Sequence, residues 1–399
     1  MQVPATPQYD ESRPATRVAA VGKTSSISLN RELLHKIKGS NNIPALDAIR
    51  GVAALMVVVA HTLGPRQLGS MAVAIFFVLS GFLITWLLVR ESEVTGRVSL
   101  RDFYVRRTLR IFPAFYVFWF VCVGAAATRG IHILWREAWF SFFYLGDYYS
   151  ALSHIPGGIM GITWSLGVEE KFYLLWPFLF ATLHRNPQKL FRLGWVPIVV
   201  IWLYRCVVTV GATVPPDYLR YAFESRFDNI LFGCALALGF KLEKIEPILV
   251  AANRFSILPV ILAASLAGLT FLEEHTAAGY HYIVGMDLDA IIIATMLMQF
   301  VFLAALRGWS WLNHPVLRFF GRISYSVYLY HILAIATVSH YLPQLRMRWS
   351  YPLIYCGTIA AAYTSFRLIE KPFLRLKDRF APDRRQAPAK GSTGTFRAQ

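Results

Sequence analysis

The sequence predicts an all-α, polytopic integral membrane protein, a helical bundle with about ten transmembrane helices and both termini in the cytoplasm. Of its 399 residues, 56% are apolar and 16% are charged, against roughly 45–50% and about 25% in soluble domains. The apolar residues form runs of about twenty, the helix length that crosses a hydrocarbon core of about 30 Å. This composition excludes an ordinary soluble protein.

Each predicted membrane helix is one of these apolar runs. In chain order they cover residues 43–63, 70–90, 111–129, 166–184, 194–214, 227–243, 256–272, 286–306, 323–342 and 351–370. Region 131–163 is rich in Trp and Tyr, which favour the headgroup level of a bilayer, and it predicts an interfacial or re-entrant loop. The polar segments 1–42 and 374–399 predict basic cytoplasmic tails, the first of them disordered. Residues 43–373 form the predicted transmembrane domain.

The charge of the chain is explained by membrane topology. Lys and Arg number 40 and Asp and Glu 23, a net charge of +17, which raises the choice between nucleic acid and anionic lipid as a partner. The basic residues fall in alternate connections between the spans and in the C-terminal tail, as cytoplasmic segments do. This distribution favours membrane lipid, places both termini in the cytoplasm and removes the main support for nucleic-acid binding.

The cysteines give no sign of a metal or redox centre. All four (Cys122, Cys206, Cys234 and Cys356) lie singly in apolar runs, without metal-ligand spacing, so we expect no metal. The two halves of the chain also show no internal repeat, which weighs mildly against an inverted-repeat transporter.

The first span contains three ionisable residues, Asp47, Arg50 and His61. Ionisable side chains facing lipid are costly, so each is a functional candidate. A helix separates Arg50 and His61 by about 16 Å along its axis and leaves them on roughly the same face. The orientation puts Arg50 in the inner half and His61 near the outer end. The alternative for His61 is an interfacial histidine that caps a polar pocket.

The start of the fourth span carries a second set of candidates: Trp164, Ser165, Glu169 and Glu170. This helix runs inward, so the two carboxylates lie at a depth similar to that of His61. A histidine held by a carboxylate is a common general base for a hydroxyl. The sequence therefore predicts that Glu169 or Glu170 orients His61. The alternative is a favourable charge at a helix N-terminus.

Three arginines precede the third span, at the predicted cytoplasmic mouth. Arg107 and Arg110 are neighbours on one helical face and can share an anion, and Arg106 lies beside them. A phosphate-bearing ligand fits this pattern, and anchoring to anionic lipid fits it as well.

Five further polar or small positions are weaker candidates. Ser80 and Gly81 allow close helix packing or an exposed backbone for a ligand. Asp228 pairs with Arg226 or with a neighbouring helix. Tyr325 and His331 predict either a buried hydrogen-bond network or a catalytic role.

Six motifs, in this order, resemble the acyltransferase 3 family of integral membrane acyltransferases. They are Leu46 to Gly51 followed by His61, Phe76 to Phe82, Arg106 to Pro113, Trp164 to Pro177, Gly321 to His331, and Ile369 to Phe373. The resemblance covers about Ile43 to Phe373. The chain departs from the pattern at Gly167 and Lys171, where Ser and Gln are expected.

The resemblance implies transfer of an acyl group, often acetyl, from cytoplasmic acyl-CoA to a hydroxyl of a carbohydrate or glycolipid at the outer face of the bacterial inner membrane. It implies that Arg50 and His61 are needed for activity and that Arg107 and Arg110 help to hold the donor. Some members add a C-terminal extracytoplasmic domain, which we do not expect here because the segment after Phe373 is short and polar. A polytopic transporter of a glycan or lipid precursor, with His61, Glu169 and Asp228 relaying protons, is the alternative from another class. Direct transfer and an acyl-histidine intermediate both remain open.

Overall fold

The computed structural model describes residues 43–380, apart from residues 65, 154–156, 253, 254, 256, 276, 277, 305 and 306. The predicted tail 1–42 and most of the tail 374–399 lie outside these residues. Every regular element in the described ranges is a helix, and none of these residues forms a strand. The helices are α1 (Pro44–Leu63), α2 (Arg66–Thr95), α3 (Leu100–Arg129), α4 (Trp135–Phe142), α5 (Gly146–Leu152), α6 (Trp164–Leu183), α7 (Pro187–Gly211), α8 (Pro216–Tyr221), α9 (Asp228–Lys241), α10 (Glu246–Ala252), α11 (Leu258–His275), α12 (Met286–Leu303), α13 (Pro315–Tyr341), α14 (Met347–Ser365) and α15 (Lys371–Lys377).

The membrane class is confirmed. Among the described residues, five helices are long and apolar enough to cross a bilayer: Ala45–Leu63, Gln67–Thr95, Leu100–Thr128, Pro187–Gly211 and His281–Leu303. Each of the other predicted runs also falls on a helix, while the total of about ten spans stays a prediction. The run at 227–243 becomes α9, whose 14 residues extend about 21 Å, less than the hydrocarbon thickness. It is buried inside the bundle, which explains its apolar composition.

Two pairs of glycines set the closest helix contacts. A Cβ atom on Gly321 of α13 would clash with the Asp47 carbonyl of α1, and one on Gly51 would lie 2.8 Å from the Gly321 nitrogen. Gly81 of α2 and Gly233 of α9 likewise leave no room for a Cβ atom against the facing backbone. Small residues allow such contact between membrane helices. Gly81 therefore packs against α9, which is the close-packing alternative for this residue, and its role in cofactor binding stays a prediction.

The arginine-bearing turns before the third predicted span belong to the same helix as the span. Ser99 caps α3 by accepting a hydrogen bond from the Asp102 nitrogen at 3.3 Å, a favourable N-terminal arrangement. The Ser99 nitrogen in turn donates to Glu91 of α2 at 2.8 Å. These bonds fix the α2–α3 connection and hold the arginines at one end of the bundle.

The described residues of region 131–163 form short helices and turns where the sequence predicts a loop, and its interfacial or re-entrant position stays a prediction. It contains α4, α5 and the 3-10 turn Gly161–Thr163, which leads directly into α6. Tyr144, Phe115 and Phe112 stack with ring centroids 4.4–5.3 Å apart, tying the region to α3. This packing fixes where α6 begins, and with it the positions of Trp164 and Ser165.

Candidate active site

Two cavities lie back to back in the bundle. We call the first, of about 460 Å³, the arginine cavity. Its charged lining consists of Asp47, Arg50, Arg106, Arg107, Arg110, Glu169, Glu370 and Lys377. We call the second, of about 550 Å³, the histidine cavity. Its ionisable and aromatic lining includes His61, Glu137, Asp217, Arg220, Tyr149, Trp164 and Tyr221. Val73 and Tyr328 line both cavities, so these two side chains form the wall between them.

Helix α1 serves both cavities. Asp47 and Arg50 lie in the arginine cavity, and His61 lies in the histidine cavity. The helix is continuous between them, so the separation of about 16 Å expected for an α-helix holds. One helix therefore carries a cation on one side of the wall and an imidazole on the other.

The three neighbouring arginines do not behave alike. Arg106 pairs with Glu91 at 2.5 Å and donates to the Phe380 carbonyl at 2.8 Å, so its charge is already balanced. Arg107 lies flat on Tyr173, 3.5 Å from the ring centroid. Within the described residues neither Arg107 nor Arg110 forms an ion pair within 4.0 Å. Arg107 and Arg110 are the arginines left for an anionic ligand, while Arg106 locks α2, α3 and the C-terminal turn.

The predicted pairing of Glu169 or Glu170 with His61 is not formed. Glu169 lies in the arginine cavity, where it accepts a hydrogen bond from Ser80 at 2.7 Å. Glu170 lines neither cavity in the described part of the chain. Because α6 runs away from the wall, Glu169 lies a turn beyond Ser165, on the arginine side. The sequence indicated a similar depth but could not show which side of the wall each residue faces.

His61 is held by the backbone and by a second histidine. Its Nδ1 donates to the Val57 carbonyl at 2.9 Å, which leaves Nε2 without a proton in the neutral ring. The ring meets His331 edge to face, with centroids 4.9 Å apart. His331 is buried, its Nδ1 donates to the Tyr328 carbonyl at 2.6 Å, and its Nε2 has no partner among the described residues. Two histidine rings thus meet close to Tyr328, one of the two residues of the wall.

Tyr328 is held in the wall by hydrogen bonds. Its hydroxyl lies 2.6 Å from Ser165 Oγ and donates to the Ile162 carbonyl at 2.6 Å. Ser165 lines the arginine cavity and its neighbour Trp164 lines the histidine cavity. The first residues of α6 therefore straddle the wall. Tyr325, one turn from Tyr328, lines the arginine cavity and donates to the Ile111 carbonyl at 3.3 Å.

Asp228 belongs to a separate buried cluster. It pairs with Arg205 at 2.6 Å, and Arg205 also pairs with Asp287 at 2.5 Å and donates to two backbone carbonyls. Asp228 lines neither cavity, so it pairs with a neighbouring helix and not with Arg226. Sequence reasoning missed Arg205, although an arginine inside an apolar run was a signal.

Glu137 is a cavity residue that sequence reasoning also missed. It is 1% exposed and both its oxygens accept from the Gly158 nitrogen at 3.0 Å. A Cβ atom on Gly158 would lie 2.7 Å from Glu137 Oε2, so a side chain here would displace the carboxylate. Burial raises the pKa of this carboxyl from its ordinary 4.5 to about 7. The Gly157-Gly158 pair was the available signal, but its partner is 21 residues away.

Gly167 and Lys171, where the chain departs from the family pattern, both contact Asp147. Lys171 pairs with Asp147 at 2.7 Å and donates to the Tyr144 carbonyl at 2.9 Å. A Cβ atom on Gly167 would lie 2.8 Å from the same carboxylate. The glycine makes room for the acid that the lysine neutralises, and together they fasten α6 to the interfacial region.

Comparison with known proteins connects this arrangement to a family. The acyltransferase 3 model, described as an acyltransferase domain, matches residues 43–367. A Staphylococcus aureus (strain COL) protein, whose name marks it as a candidate O-acetyltransferase, is 30% identical over 366 residues, 85% of this chain and 58% of that protein. The peptidoglycan O-acetyltransferase OatA of Listeria monocytogenes serovar 1/2a is 30% identical over 359 residues, 83% of this chain and 55% of its own length.

A Bacillus subtilis (strain 168) protein, YrhL, whose name marks it as a candidate peptidoglycan O-acetyltransferase, is 29% identical over 374 residues, 85% of this chain and 56% of that protein. This chain thus spans little more than half the length of these relatives. No solved structure matches it. On the match over residues 43–367, the chain belongs to the acyltransferase 3 family of membrane acyltransferases.

Proposed function

We propose that the protein is a membrane O-acyltransferase that moves an acyl group, acetyl in the first instance, from cytoplasmic acyl-CoA to a hydroxyl of a cell-surface carbohydrate at the outer face of the bacterial inner membrane. The observation that carries the proposal is the pair of cavities that meet at Val73 and Tyr328. One cavity offers unpaired guanidinium groups and the other offers an imidazole. A donor and an acceptor on opposite sides of a membrane require this separation.

The arginine cavity suits the donor. Arg107 and Arg110 bind the nucleotide phosphates, because guanidinium forks match phosphate oxygens. The thin pantetheine arm then extends past Arg50 and Ser80 towards Tyr328, and Glu169, bonded to Ser80, lines this path. The thioester carbon reaches the wall, next to the histidines.

The histidine cavity suits the acceptor. The unprotonated Nε2 of His61 takes the proton of the acceptor hydroxyl as general base. The hydroxyl oxygen bonds to the thioester carbon, the carbon–sulfur bond breaks, and the protonated His61 returns the proton to the departing CoA thiolate, so that free CoA and a neutral imidazole remain. His331, in ring contact with His61, helps to orient the His61 ring. In the variant with an acyl-histidine intermediate, His61 Nε2 first takes the acyl group and then passes it to the hydroxyl.

The acceptor is a sugar hydroxyl. The names of OatA and YrhL make peptidoglycan the first acceptor to test, followed by lipopolysaccharide O-antigen, exopolysaccharide and other glycolipids. Tyr149, Trp164 and Tyr221 supply aromatic faces in the histidine cavity, and Glu137 and Asp217 supply hydrogen-bond acceptors for hydroxyls.

The test is mass spectrometry of cell-surface glycans from cells with the protein, without it, and with His61→Ala. We expect the acyl mark to be lost in both the deletion and the variant, while His61→Ala still inserts, because general-base catalysis contributes about 10²–10⁴-fold. An acylated glycan in the His61→Ala cells would contradict the assignment.

The transporter alternative gains no support from the positions of its relay residues. His61 lines the histidine cavity and Glu169 lines the arginine cavity. Asp228 lies outside both, in an ion pair with Arg205. A transporter would leave the glycan chemically unchanged but absent from the surface, an outcome the same spectra would reveal.

A further inference from the structure

The C-terminal helix contributes a lysine to the arginine cavity. Helix α15 follows α14 through the π-turn Phe366–Glu370 and packs against α3. The hydrogen bond from Arg106 to the Phe380 carbonyl, 2.8 Å long, fastens the turn beyond it. In this position Lys377, the last residue of α15, lines the same cavity as Arg107 and Arg110.

The positive charge of Lys377 is poorly compensated. Within the described residues no carboxylate oxygen lies within 4.0 Å of its amine. Of the charged groups that affect it most, Asp378 attracts it, whereas Arg110, Arg106 and Arg107 repel it. Burial and this repulsion lower the pKa of Lys377 from 10.5 to about 8. Lys377, Arg107 and Arg110 are partly buried, and gathering cations at partly buried positions is unfavourable unless an anion joins them.

A phosphorylated ligand satisfies this group of charges. Two guanidinium groups and an ammonium group together match an anion with several phosphate oxygens, for which arginine supplies planar forks and lysine a compact point charge. Arg106 does not contribute, because Glu91 neutralises it. Lys377 lies beyond residues 43–367, which the family model matches, so the family match assigns it no role.

We propose that Lys377 is a third phosphate-binding side chain, which together with Arg107 and Arg110 holds the nucleotide end of the acyl-CoA donor while α15 closes the cytoplasmic side of the cavity. The inference rests on the proposed function, since it presupposes a donor with phosphate groups. It predicts that Lys377 contributes to donor recognition and not to the chemical step.

The experiment compares two donors on the full-length protein: acetyl-CoA and S-acetylpantetheine, which has the same thioester and arm but no phosphate. For Lys377→Gln we expect a KM for acetyl-CoA about tenfold higher, the size of one charge-assisted hydrogen bond, with an unchanged kcat and an unchanged KM for S-acetylpantetheine. Lys377→Arg should recover most of the loss. Arg375→Gln is the matched control, because it removes one charge from the exposed face of the same helix.

Two results would overturn the inference: an unchanged KM for acetyl-CoA in Lys377→Gln, or an equal rise in KM for both donors, which would indicate a structural role. Both leave wild-type transfer from acetyl-CoA intact, so the proposed function survives them. A wild-type protein that neither binds coenzyme A in calorimetry nor uses acetyl-CoA would instead reject the proposed donor, and the assignment of Lys377 with it.

Discussion

The buried Arg205 and the partly buried Arg107 differ in whether the protein itself supplies their partners. Arg205 is enclosed by two carboxylates and two backbone carbonyls, so each of its three nitrogens has a partner. Arg107 has a tyrosine ring beneath it, a buried Nε without a hydrogen-bond partner in the described chain, and an open cavity before it. The charge of Arg205 is neutralised by carboxylates within the protein, whereas the partly buried Arg107 has no ion-pair partner among the described residues.

The difference separates structural charge from functional charge. A closed ion-pair cluster fixes helices relative to one another and leaves nothing for a ligand. Cations without counter-charges destabilise the unliganded protein, and an anionic ligand that binds them removes this unfavourable electrostatic energy. The burial of an arginine therefore does not by itself identify a ligand-binding site. An arginine that lines a cavity and has no ion-pair partner does indicate one.

The largest effect on stability is expected at Arg205. Arg205→Gln removes the ion-pair partner that Asp228 and Asp287 share, and breaking a buried pair costs about 3–5 kcal/mol of unfolding free energy. The measurement is thermal unfolding in detergent, with Arg192→Gln as control because Arg192 is an exposed residue of the same helix α7. Replacing Arg205, Asp228 and Asp287 together by apolar residues should restore much of the loss. A stable Arg205→Gln protein would show that the cluster is not structural.

The sequence predicts features that lie within one helix better than contacts between helices. Apolar runs and spacing within one helix are local properties, so the helical membrane class and the placement of Arg50 and His61 on one continuous helix could be predicted. The contact of His61 with His331, the bond of Ser80 to Glu169 and the pairing of Arg205 with Asp228 depend on which helices become neighbours. No periodicity within a single helix carries that information, which is why the predicted pairing of His61 with a glutamate is not formed.

The next largest effect is expected at the unpaired arginines, on binding and not on stability. In Arg107→Gln with Arg110→Gln, the KM for acetyl-CoA should rise about 100-fold, because two charge-assisted contacts of about 1.5 kcal/mol each are lost. Thermal unfolding should change by less than about 1 kcal/mol, since no ion pair is broken. The double variant Arg185→Gln with Arg192→Gln removes two exposed charges and should change neither quantity. If the KM for acetyl-CoA stays at the wild-type value, the alternative interpretation, in which Arg107 and Arg110 anchor the protein to anionic lipid, would be favoured.

Glu137 lies between these two extremes and gives the smallest effect. Its carboxyl is buried like Arg205 but is held chiefly by backbone N–H groups of one turn, so burial raises its pKa to about 7 in the folded protein against 4.5 ordinarily. The folded state then binds the proton more tightly than the unfolded state. Stability should fall as the pH rises through the interval between these two values and level off above about 7.

Between pH 6 and pH 7 the expected loss is about 1 kcal/mol, measured by thermal unfolding and by hydrogen exchange at Gly158. Glu137→Gln keeps a carbonyl oxygen to accept from Gly158 but cannot ionise, so its stability should be flat over this interval. Equal pH slopes in the two proteins would mean that the Glu137 carboxylate is fully stabilised by its turn, as Arg205 is by its cluster. It would then be an anchor of the histidine cavity that does not respond to pH.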